Sequence, residues 1–392
     1  MKNFYNNHKE SLIILGISLL YAFIFSGYTL CNQYLLVIYP DIGIYLSSLL
    51  FASMLVCTIF APYISHYLLT VKWTVILGTV GTTIWIISFN IDIPYLIIFS
   101  TICSGIGSGL YRSHQFILIK KLYPENVSRN MAISLSVFNM FGIFTAPIIF
   151  IMLFFEISIY TILKCFTIIV IVSQLLLVLV KNVRSENKTL NYCSLLKTKI
   201  WLLLPLSQVQ AINFTTFFVF IPKNVNAHFE SAIFLIATLA LVYSFICPLA
   251  TYLIGVLFNK TMTHRWIYIV ISLLLSIVSS GYLLYMFNFY ESDKTFDYIL
   301  ICVFGLVWGS YDSIIYTVNM IIMAELFDEN IFCIQRIFYC FNVTIFVILV
   351  KILPSHFFFG LIILLNVLSL IGYLVLTKSL DPSRNDYDEI IV

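Results

Sequence analysis

Long apolar runs alternate with short polar breaks along the whole chain. A helix that crosses a membrane needs about 20 mostly apolar residues. By that measure the pattern predicts twelve spans: 11–38, 42–69, 72–89, 93–120, 130–154, 158–180, 200–221, 231–257, 266–288, 297–322, 331–353 and 356–377. Lipid-exposed backbone must satisfy its own hydrogen bonds, so the runs read as helices joined in hairpins. Several exceed the minimum, which permits tilt or extension beyond the bilayer. Pro62, Pro147, Pro205 and Pro248 fall inside runs, where they mark kinks that membrane helices tolerate. The longest polar break, Lys181 to Lys199, follows the sixth run. It divides the chain into an N-terminal six-helix bundle (1–180), a basic linker (181–199), a C-terminal six-helix bundle (200–378) and a tail (379–392). The first run is longer than a signal-peptide core and lacks a small-residue cleavage site, so it is expected to be a retained span.

Composition supports the same class. Of the 392 residues, 61% are apolar and 10% are charged, whereas a soluble domain carries roughly 45–50% and about 25%. This is the balance of an integral membrane protein whose first partner is the lipid bilayer. Nothing resembles a nucleotide loop, a metal cluster or a hydrolytic triad, so no enzyme, cofactor, metal or nucleic-acid partner is expected. The nine cysteines form no CxxC pair, and eight lie in or beside apolar runs, where they read as small apolar residues.

Basic residues orient the spans. With the N-terminus inside, Lys2, Lys9, Lys72, Lys120, Lys121, Arg129, Lys181, Arg184, Lys188, Lys197, Lys199, Lys260, Arg265, Arg336, Lys378 and Arg384 fall on the cytoplasmic side, 16 of the 21 basic residues. Lys164, Lys223, Lys294 and Lys351 fall outside, and Arg112 lies within a span. Both termini are therefore expected in the cytoplasm, with the plasma membrane favoured over internal membranes. The sequons at Asn126, Asn187 and Asn259 then face inward and would carry no glycan.

Arg112 is the one arginine well inside a run. It belongs to Gly109-Leu-Tyr-Arg-Ser113, and two hundred residues later the chain reads Gly309-Ser-Tyr-Asp-Ser313, with the charge inverted. Phe138-Asn139 and Phe341-Asn342 make a weaker echo. Arginine at the centre of a membrane helix costs roughly 2.5–3.5 kcal/mol on insertion scales and normally faces the protein interior. Lys120 lies about 12 Å further along the helix, which leaves Arg112 in the inner half of the bilayer.

Helical spacing puts Ser108, Arg112 and Gln115 on one face, with His114 elsewhere, and puts Trp308, Asp312, Tyr316 and Asn319 on another. Gly105, Gly107 and Gly109 admit a close neighbouring backbone. Tyr111, Tyr311, Asn32, Gln210 and Asn213 complete the polar set on the first, fourth, seventh and tenth runs. Arg112 and Asp312 read two ways. They form either a fixed ion pair between the halves or a cavity-lining pair that binds an anionic or zwitterionic solute, or opens and closes during transport; the remaining alternative is that the two never meet. Gln210 and Asn213 serve either interhelical hydrogen bonds or the central space.

Six spans, a basic loop and six spans with both termini inside resembles the major facilitator superfamily, an all-α membrane fold of two six-helix bundles related by pseudo-symmetry. Within it the chain resembles the Unc-93-like (uncoordinated-93) family. The likeness rests on Tyr45-Leu-Ser-Ser48 with Phe60-Ala-Pro62, on Lys72-Trp-Thr74 with Leu77-Gly78, and on Gly105-Ile-Gly107 with Gln115. It also rests on Ser128-Arg-Asn130 and on Gly309, Asp312, Ser313 and Thr317. Arg112 stands where that family has Trp, His114 where it has Ala, Tyr311 where it has Gly, and Tyr316 and Val318 where it has Asn and Gln. The seventh run holds no acid, and the connection between spans two and three lacks the Gly-x-x-x-Asp-Arg-x-Gly signature of many facilitators.

The resemblance implies a central space lined by spans one, four, seven and ten. Two functions follow. One is a carrier moving a small solute or ion by alternating access. The other is a non-transporting accessory protein that regulates a potassium channel or escorts membrane receptors.

Overall fold

A computed structural model describes residues 2–91, 93–122, 127–139, 141–183, 204–229, 232–260, 265–288, 294–326 and 331–379. The remainder of the linker 181–199 beyond Val183, the tail beyond Ser379, and Asn126 and Asn187 lie outside the described residues.

The described residues of the apolar runs are helical except at run ends, such as Leu69, Val178 to Val180 and Leu353. The α-helices are α1 (Lys2–Ile38), α2 (Gly43–Tyr63), α3 (Val71–Ile91), α4 (Pro94–Leu122), α5 (Val127–Asn139), α6 (Phe141–Phe154) and α7 (Ile159–Leu177). They continue as α8 (Leu204–Thr215), α9 (Ile221–His228), α10 (Ala232–Lys260), α11 (Arg265–Asn288), α12 (Lys294–Leu326), α13 (Ile331–Ile352) and α14 (Ser355–Ser379). Eight helical stretches among the described residues are long and apolar enough to cross a membrane: those beginning at Ser11, Gly43, Val71, Pro94, Ile159, Ala232, Phe296 and Ile331. Two shorter apolar stretches, Leu274–Tyr285 and His356–Gly372, accompany them.

Three elements differ in detail from the sequence pattern. The first helix begins at Lys2, well before the first apolar run. The second ends in a π-helical turn, Ile64–Leu68, directly after Pro62. The seventh run is broken by a second π-helical turn, Thr216–Phe220, which joins α8 to α9. Each wide turn is closed by a bond five residues back, from Leu69 N–H to the Ile64 carbonyl and from Ile221 N–H to the Thr216 carbonyl.

Helix packing repeats between the two parts of the chain. α4 packs against α3 and α2, and α12 packs against α11 and α10 in the same way. α1 lies on α5 and α7 as α8 lies on α13 and α14, and α3 meets α7 as α11 meets α14. The parts are joined by α2 against α13 and by α5 and α6 against α10, contacts that the same correspondence exchanges.

Lipid tails are as apolar as leucine, so close packing and interhelical hydrogen bonds must hold the helices together. Gly107 faces the Gly78 backbone of α3, and a β-carbon on Gly109 would stand 2.7 Å from the Met54 carbonyl oxygen of α2. Only glycine permits these approaches. Trp85 Nε1 donates to Thr101 Oγ1 at 3.0 Å between α3 and α4, and Ser18 Oγ donates to Ser134 Oγ at 2.9 Å between α1 and α5. The segment after α7 is tied to the α2–α3 connection. Lys72 Nζ donates to the Val178 carbonyl at 2.7 Å, and Thr70 Oγ1 donates to Asn182 Oδ1 at 2.5 Å.

Candidate functional site

A cavity of about 150 Å³ opens where α1, α4, α5 and α6 face α8, α10, α12 and α13. The four helices that the resemblance singles out, α1, α4, α8 and α12, all contribute to it, and α5, α6, α10 and α13 complete the wall. The π-helical turn shapes one side, since Asn213, Phe214, Phe217 and Phe218 all reach the cavity from consecutive turns.

Of the ten residues singled out in the sequence, Arg112, Gln115, Gln210, Asn213, Asp312 and Tyr316 line this cavity. The other four do not. Asn32 donates to the Tyr28 carbonyl of its own helix at 2.9 Å, and its neighbour Gln33 takes the place at the wall. Ser108 and Tyr111 are buried within the first part of the chain. Tyr311 is buried behind Asp312, its hydroxyl 2.9 Å from Asn213 Oδ1 and 2.6 Å from Asn366 Oδ1. His114 turns from the cavity and places Nδ1 2.8 Å from the Leu110 carbonyl.

Arg112 and Asp312 face the same space, yet no ion pair joins them. The Asp312 carboxylate is taken by neutral donors: Asn213 Nδ2 donates to Oδ1 at 2.9 Å and Tyr243 Oη donates to Oδ2 at 2.6 Å. Arg112 lies instead on aromatic faces, its guanidinium carbon 4.3 Å from the Tyr28 ring centre and 4.5 Å from that of Phe25. Arg112 is 8% exposed, and its Nε and Nη2 have no hydrogen-bond partner. The fixed ion pair, one of the two sequence readings, is therefore absent. The carboxylate is satisfied within its own part of the chain, and the guanidinium rests on ring quadrupoles with two of its nitrogens unpartnered.

The cavity holds a second cation that the sequence pattern assigns to the cytoplasmic rim. Arg336 lies five residues into α13, 7% exposed, with its guanidinium carbon 4.5 Å from the Tyr339 ring centre and Nε unpartnered. Its position inside a run of span length was the available signal, the same one that singles out Arg112. Beside it Gln335 Nε2 donates to Gln210 Oε1 at 2.5 Å, which leaves Gln210 Nε2 and Gln115 Oε1 without partners. Tyr243 carried no sequence signal, because its role depends on α10 lying against α12. Interhelical hydrogen bonding and cavity lining, alternatives for Gln210 and Asn213 in the sequence, both hold in the structure.

Among known families, the model described as Major Facilitator Superfamily matches residues 12–331, most of the chain. The match ends at the first residue of α13, so Gln335, Arg336 and Tyr339 lie beyond it. Comparison with curated proteins finds no match. The bundle of apolar helices is that of a multi-pass integral membrane protein of transporter type, and by the length of the match the chain belongs to the major facilitator superfamily.

Proposed function

We propose that the chain is a solute carrier working by alternating access around the cavity between its two parts. In this reading it has twelve spans with both termini cytoplasmic, bundles over 1–180 and 200–378, and a place in the Unc-93-like branch of the superfamily. Arg112, Asp312, Gln115, Gln210, Asn213 and Tyr316 are its solute-contacting residues, with Ser108, Tyr111, Tyr311 and Asn32 positioning their helices. The observation that carries the reading is a cavity walled by both parts of the chain, in which buried polar groups have no protein partner. Unsatisfied polar groups are costly in a membrane interior, and a solute would satisfy them. The repeated helix packing supports the rest, because two similar bundles that meet through α2 against α13 and through α5 and α6 against α10 can rock about the site they share.

Counterflow into proteoliposomes across a broad panel of anionic, zwitterionic and neutral solutes tests this. Saturable uptake of at least one solute is expected, and no uptake by correctly inserted, monodisperse protein would overturn it.

The accessory-protein reading has one specific observation in its favour. The α2–α3 connection lacks the facilitator signature and is stapled to the segment after α7 through Thr70, Val71 and Lys72. A stoichiometric channel or receptor co-purifying from native membrane, together with absent flux, would decide for it.

A further inference from the structure

The chemistry of the cavity narrows the class of solute. Its lining carries two guanidiniums, Arg112 and Arg336, against one carboxylate, Asp312, which leaves one positive charge in excess. The carboxylate is engaged by Asn213 and Tyr243, whereas Arg112 and Arg336 retain N–H groups without acceptors. The uncommitted charge is therefore cationic. Both guanidiniums line the same cavity, Arg112 over the Tyr28 ring and Arg336 over the Tyr339 ring, so they belong to one electrostatic neighbourhood. Two desolvated cations in proximity repel each other and are costly without an anion between or beside them.

The rest of the wall is apolar and aromatic. Phe25 and Phe138 meet with ring centres 4.5 Å apart, and Phe214 and Phe218 meet at 4.4 Å. The volume of about 150 Å³ matches the size at which an apolar cavity accepts a single benzene ring.

We propose that the cavity binds a monocarboxylate whose apolar body is about one aromatic ring, with its carboxylate held by Arg112 and Arg336 and its ring against Phe25, Phe138, Phe214 and Phe218. The inference rests on the carrier reading but tests a separate point, the sign and shape of the solute. A planar carboxylate takes paired N–H donors from a guanidinium fork in a way that a lysine ammonium does not reproduce. Gln115 and Gln210 lie on the same wall, where their free amide groups can orient the remainder of the solute.

The test is equilibrium binding of labelled 3-phenylpropionate to the purified full chain in nanodiscs, with phenylalanine, phenethylamine and propionate as competitors. Phenylpropionate is expected to bind, propionate about tenfold or more weakly for lack of the ring, and phenethylamine not to compete. Arg112→Gln and Arg336→Gln should each weaken binding by roughly ten- to a hundredfold. Arg112→Lys should restore little. Thermal unfolding and monodispersity of each variant separate a lost contact from a lost fold.

Preference for phenethylamine or phenylalanine would overturn the solute class and leave the carrier reading standing. No binding by any of the four compounds to folded wild type would also overturn the class, while flux of an unrelated solute in the broad panel would still uphold the carrier.

Discussion

Arg112 on α4 and Asp312 on α12 hold matching places in the two parts of the chain, and their surroundings are opposite. Around Asp312 every bond is made within its own part: Asn213 from α8, Tyr243 from α10, and behind Asn213 the hydroxyl of Tyr311 and the amide of Asn366 on α14. Around Arg112 there are rings, and its Nε and Nη2 have no acceptor. The glycines beneath them differ in parallel. Gly109 lies against α2 backbone at Met54 and Thr58, whereas Gly309 meets side chains of α10, among them Tyr243 and Ile246. The difference teaches that matched positions can divide the work. The acidic side is built and satisfied as folded, and the basic side is held rigidly but left open.

If that division is correct, the largest loss of stability follows from breaking the satisfied side. Asp312→Ala strands the Asn213 and Tyr243 donors in the interior and should cost about 2–3 kcal/mol, read as a fall in the thermal unfolding midpoint. Next comes the glycine contrast. Gly109→Ala drives a β-carbon into backbone and should cost about 1–3 kcal/mol, while Gly309→Ala meets a side-chain methyl, Ile246 Cγ2, which can shift where backbone cannot, and should cost less. Equal costs would break the comparison. Tyr243→Phe removes one of the two bonds to Asp312 and should cost about 1 kcal/mol.

Arg112→Gln should change stability least, by less than about 1 kcal/mol. It gives up cation–π contacts of modest size but also a burial penalty, and Nε and Nη2 have no hydrogen bond to lose. A large destabilisation would mean that Arg112 is structural after all.

The helices were legible in the sequence because membrane thickness fixes the length of an apolar run, and hydrogen-bond satisfaction leaves no alternative to helix. Arg112, Asp312 and the glycines of α4 were legible for a related reason: charges and close backbone contacts are rare in such runs and stand out. What escaped depends on helix phase or on neighbours distant in sequence. Asn32 and Gln33 differ by one position, and only the packing of α1 decides which meets the cavity. Arg336 lies near the end of a run, where a basic residue reads equally as a cytoplasmic flank. The engagement of Asp312 by Asn213 and Tyr243 required α8 and α10 to be seen beside α12. The π-helical turn at Thr216–Phe220, which brings Phe217 and Phe218 to the wall together, has no signature in the residue pattern.

The central claim is that the open arginine side exists for a solute and not for the fold. The most direct measurement is counterflow of labelled 3-phenylpropionate into proteoliposomes containing equal amounts of monodisperse wild type or Arg112→Gln, with the unfolding midpoint taken on the same samples. Saturable uptake by wild type, at least tenfold lower in Arg112→Gln at an unchanged midpoint, is the predicted result. Unaltered uptake in the variant, or loss of uptake only in step with a lowered midpoint, would contradict it.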